Sequence, residues 1–66
     1  MDYIERMKQE LDDLLIKAEK LENAINTLET LDRKESNMMY AQLYLMTGYI
    51  DVLSKRLQYA QAKIDR

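Results

Sequence analysis

Eight apolar residues in the first half of the chain recur at alternating spacings of three and four: Ile4, Met7, Leu11, Leu14, Ala18, Leu21, Ile25 and Leu28. That heptad puts all of them on one face of an α-helix, where a strand would need period two. The positions facing away are polar or charged: Glu5, Gln9, Asp12, Asp13, Glu19, Asn23 and Asn26. The second half repeats the device with Met39, Leu43, Met46, Ile50, Leu53, Leu57, Ala60 and Ile64. Two such seams imply an all-α, coiled-coil-like, antiparallel two-helix hairpin. The absence of proline and the single glycine, Gly48, agree with that class, because folds rich in strands and tight turns use more of both.

Between the seams the heptad positions fall on Asp32 and Glu35, which no apolar seam accommodates. Asp32 followed three residues later by Glu35 fits a capping box with Asp as the cap. One domain over residues 1–66 is therefore expected, with a helix over about 3–29, a turn at about 30–32 and a helix over about 33–64. A single continuous helix is the alternative, since no Gly or Pro forces the break. Folding back at Leu31 sets the seams together, with Leu21 near Leu43, Leu14 near Ile50 and Met7 near Leu57, in helices of matched length.

The second helix carries another stripe: Met38, Ala41, Leu45, Gly48, Val52, Lys55, Tyr59 and Ala62, in which only Lys55 is charged. It lies about 200° round the helix from the first seam. One helix of a lone hairpin cannot bury two opposite faces, and a helix apolar nearly all round is a buried helix. Scattered surface hydrophobes are the plain alternative. Eight positions in register favour self-association, with Met38, Ala41, Leu45, Gly48, Val52 and Tyr59 as the oligomer interface and a dimeric four-helix bundle as the simplest closed form. Size argues the same way. A chain of 66 residues needs help beyond its own core, and with no Cys and no His it has neither disulfides nor the usual zinc ligands.

The residue types also limit the chemistry. Without a His base or a Cys nucleophile, and with Ser and Thr lacking an activating partner, no catalytic set is expected and no enzyme. The carboxylates point outward, so no metal and no cofactor is expected. A net charge of -2 excludes a general nucleic-acid coat. No apolar run reaches the length of a membrane span and no signal-peptide pattern opens the chain, which makes the cytoplasm the expected compartment.

Tyrosine stands out, because Phe and Trp are absent and every aromatic ring has a polar tip. Tyr40 and Tyr44 lie one turn apart, and Tyr49 follows. Such rings suit half-buried interfaces and stacking on a base alike. Arg33 and Lys34 occupy the first turn of the second helix, where free N–H groups and the dipole favour an anion. Asn37 adds an amide and Arg56 a guanidinium. These seven residues, Arg33, Lys34, Asn37, Tyr40, Tyr44, Tyr49 and Arg56, are the candidate ligand-binding set. Simple interface packing stands as the alternative for the tyrosines.

The stretch from Met39 to Leu57, with Glu19-Lys20-Leu21-Glu22 upstream and the Asp32/Glu35 cap, resembles a family of short phage-encoded helical proteins first catalogued in crAss-like phages. Gln42, Leu43, Met46, Tyr49, Ile50, Leu53, Arg56 and Leu57 carry the match. The resemblance implies a phage origin and, by analogy with other small phage proteins, a counter-defence role in the host cytoplasm. Two readings follow. One is sequestration of a small nucleotide immune signal in a pocket formed on oligomerisation. The other is a protein-interaction module that blocks a host protein or acts as an adaptor through the second stripe.

Overall fold

The computed structural model describes residues 2–27 and 32–64. They form two α-helices, α1 over Tyr3–Thr27 and α2 over Arg33–Ile64, packed on each other as a hairpin 52 Å long. The expected helix end near residue 29 and most of the expected turn at 30–32, together with the seam residue Leu28, lie outside the described residues.

Each helix starts at the same chemical signal. Asp2 Oδ1 accepts the Glu5 N–H at 2.7 Å, and Asp32 Oδ1 accepts the Glu35 N–H at 2.7 Å. The carbonyls of Asp2 and Asp32 take the next donors, from Arg6 at 3.1 Å and Ser36 at 2.9 Å. Glu5 and Glu35 also place negative charge in the positive first turn. Asp32→Ala removes an N-cap and should cost about 1 kcal/mol, read as a fall in melting temperature of roughly 4–8 °C by circular dichroism. An unchanged melt would mean that the cap contributes nothing to the hairpin.

The two heptads are the inner faces. Met7 and Leu53 are buried, at 4% and 1% exposure, and the other described seam residues of α1 are half-buried. Met39, Leu43, Met46, Ile50, Leu57 and Ala60 of α2 are half-buried in the same way. Two helices share a single contact layer, so each side chain is covered from one side and the core is thin. The ion pairs Lys8–Glu5 at 3.9 Å and Lys55–Asp51 at 3.0 Å lie on open surface, where such pairs contribute little.

One expectation is corrected: Ile64, expected in the seam, is 70% exposed at the end of α2, beside Asp2, Tyr3 and Ile4 at the start of α1. On the flank of the seam Tyr49 is tied to Glu10 and Arg56 to Tyr3. Seams that repeat every seven residues lose little apolar contact when they slide by a turn, so polar pairs on the flank select the register.

Candidate functional site

The outer face of α2 is uncovered. Met38, Tyr44, Leu45, Val52 and Tyr59 are all more than half exposed, with Tyr44 at 78% and Leu45 at 72%, and Ala41 and Gly48 are open beside them. This face arises because α2 spends its first seam on α1 and carries its second stripe on the opposite side. Along it runs an open groove of about 750 Å³, lined by Tyr44, Leu45, Gly48, Tyr49, Val52 and Arg56 among others. Gly48 forms a gap in the stripe. A Cβ built there meets nothing within 4 Å, and its φ is not positive. Neither packing nor backbone conformation within the protomer calls for glycine, although a helix-interior Gly costs about 1 kcal/mol relative to Ala.

One rim of the groove is fastened to α1. The Tyr49 hydroxyl donates to Glu10 Oε1, and Arg56 Nη2 donates to the Tyr3 hydroxyl at 3.0 Å. The hydrogen bond to Glu10 is the main reason that the Tyr49 phenol is pushed up from its ordinary range; burial and the Glu10 charge add to it, and Arg56 opposes it. The bond to Tyr3 likewise holds Arg56 more firmly protonated, with Glu10 adding to that effect. Tyr3 and Glu10 do not figure in the sequence-derived set. The signal for them is present: each of the four tied residues directly precedes a seam residue, and Tyr3/Glu10 and Tyr49/Arg56 are both seven apart. Those flanking positions meet across a helix pair.

The structure divides the seven candidate ligand residues. Tyr44, Tyr49 and Arg56 share the groove. Arg33, Lys34, Asn37 and Tyr40 are exposed nearer the start of α2 and do not line it. Arg33 and Arg56 are separated along the helix by roughly 35 Å at 1.5 Å per residue, more than one small ligand spans. The first turn is also less open to an anion than its two cations suggest. The Asp32 carboxylate takes the Glu35 N–H, which leaves the N–H groups of Arg33 and Lys34 beside two acidic side chains.

Chemically the groove combines an apolar floor, two phenol rims and one guanidinium. A flat ring bearing a polar or anionic tail matches that set. Among the described residues no three acidic side chains gather as a metal site. No described helix is long and apolar enough to cross a membrane.

Searches of the curated proteins and of the solved structures find no match to this chain. A family model described as Sequestin matches residues 1–59, a span that takes in both capped helix starts, the whole of α1, the outer stripe as far as Tyr59 and all four tied residues of the groove rim. The chain belongs to the Sequestin family.

Proposed function

We propose that this chain is a non-enzymatic, phage-encoded counter-defence protein that sequesters a small nucleotide immune signal of its host in a pocket completed by oligomerisation. The observation that carries the reading is the α2 groove, with Tyr44 and Tyr49 at its rim and Arg56 at its end. Aromatic faces hold a base by stacking, and a guanidinium pairs with phosphate oxygens. The family name is consistent with a sequestering role. Sequestration needs affinity and no catalytic group, in accord with a chain that lacks both His and Cys. The phage origin and the host cytoplasm as the site of action rest on the resemblance of the Met39 to Leu57 stretch.

Isothermal calorimetry with a panel of linear and cyclic nucleotides tests the reading. Saturable binding of at least one member is expected. Base–aromatic stacking contributes about 1–3 kcal/mol per base, so Tyr44→Ala should weaken that binding at least about tenfold. Arg33→Ala tests whether the turn end takes part. Flat titrations across the whole panel would overturn the proposal. The second reading, a module that docks on a host protein, is favoured by the exposure of Met38, Leu45, Val52 and Tyr59. A protomer that stays monomeric in dilute solution with that stripe free would support it over the first.

A further inference from the structure

We infer that two copies of α2 pack antiparallel across a two-fold axis at Gly48, so that each covers the apolar floor of the other's groove and sets its Lys55 beside the other's Tyr44. The inference rests on the sequestering role proposed above and places its pocket at the rim, between Tyr44 and the partner's Lys55.

The first argument is self-complementarity. Met38, Leu45, Val52 and Tyr59 are spaced by seven along one face and lie symmetrically about the point between Gly48 and Tyr49. A two-fold axis there brings Leu45 against the partner's Val52 and Met38 against the partner's Tyr59. Such isologous contacts close on themselves, as a stable dimer requires. Gly48 falls at the centre, where the two helices pass closest. The space open around its Cα, unused within the protomer, is then filled by the second copy.

The second argument is charge. Lys55 is the one charged residue of the stripe, and it pairs with Asp51 of its own helix, on the surface. Parallel packing in register would set Lys55 against the partner's Lys55. The antiparallel arrangement sets it instead beside the partner's Ala41, Gln42 and Tyr44. Tyr44 is thereby given a cation beside it, whereas Arg56 of its own protomer stands about three helical turns away at 3.6 residues per turn, and the site occurs twice per dimer.

The third argument is area. Met38, Tyr44, Leu45, Tyr49, Val52 and Tyr59 are each exposed by about half or more. Taking roughly 150–250 Å² for an aromatic side chain, the three tyrosines alone present on the order of 400 Å² per protomer, and Met38, Leu45 and Val52 add to it, toward the roughly 800 Å² per partner of a standard stable interface.

Cysteine cross-linking decides the matter, because the chain has no Cys of its own. Met38→Cys and Tyr59→Cys proteins are oxidised separately and as a mixture unfolded and refolded together, without any nucleotide. In the antiparallel dimer Met38 and its own copy are roughly 30 Å apart at 1.5 Å per residue. Each single variant should therefore stay uncross-linked, and the mixture should give at least tenfold more disulfide dimer. Leu45→Cys with Val52→Cys, nearer the axis, provides a second mixture should the first fold poorly, with helicity checked by circular dichroism. Efficient self-linking of Met38→Cys alone would overturn the inference in favour of parallel packing. Absence of linking in both mixtures, with both folded, would overturn it outright. Nucleotide binding is read separately by calorimetry. Binding without the cross-links sinks only the antiparallel dimer, and cross-links with flat titrations sink only the nucleotide role.

Discussion

Leu53→Ala is expected to lower the melting temperature by about 15–20 °C and, in dilute protein, to leave much of the chain unfolded. Leu53 is the largest side chain fully removed from water among the described residues, at 1% exposure, and Met7 is the other buried member of the layer. Truncating a buried leucine loses its transfer free energy and leaves a cavity, together about 2–5 kcal/mol. In a domain of this size each kcal/mol moves the midpoint by roughly 4–8 °C. A thin two-helix layer has few other buried contacts to absorb the loss. Gln58→Ala, at an exposed position on the same helix, is the control and should shift the melt by no more than a few degrees. Should Leu53→Ala melt with the control, the α1–α2 seam would not be what holds the protein together.

Leu45→Glu should act on assembly instead. Leu45 is 72% exposed in the protomer, so the substitution leaves the hairpin core untouched. Glu is also as good a helix former as Leu. Across a two-fold interface each substitution enters twice, and an unpaired carboxylate removed from water costs several kcal/mol. Association weakened at least about a thousandfold, near 4 kcal/mol, is the expected result. Sedimentation equilibrium over a range of concentrations reads it directly, as a shift from oligomer to monomer. Helicity should fall in parallel once the protein is diluted, because a lone hairpin has little core of its own. An unchanged assembly state would show that the outer stripe is not an interface between copies. The contrast between the two variants is informative in itself. Leu53→Ala should be destabilised at every concentration, while Leu45→Glu should differ from the parent mainly where the parent is assembled.

Much of the architecture was legible because it depends on local pattern. The heptads named the inner face of each helix, and the described seam residues from Ile4 to Ile25 and from Met39 to Ala60 are half-buried or buried. Helix starts are similarly local, since an Asp three residues before a Glu can reach only the N–H groups of its own first turn. The site was less legible. Tyr44, Tyr49 and Arg56 were singled out by residue type and do share a groove, yet Arg33, Lys34, Asn37 and Tyr40 carry the same chemistry and lie apart from it. Composition shows which side chains can bind a base or a phosphate. It does not show which of them are level with one another along a helix nearly 50 Å long at 1.5 Å per residue.

The sequence by itself determined the class, the two helices, the face that each turns inward and the presence of a second apolar face on α2. Periodicity is a property of neighbouring residues, and the helix turns it into faces without reference to anything distant. Only the tertiary structure decided how far the seam stays covered, with Ile64 exposed at the end of α2. It also decided that Arg56 and Tyr49 are engaged with Tyr3 and Glu10. Apolar contacts are non-directional and repeat along both seams, so several slides of one helix on the other bury nearly the same area. Hydrogen bonds are short and directional, and the pairs that can form in one slide cannot form in the next.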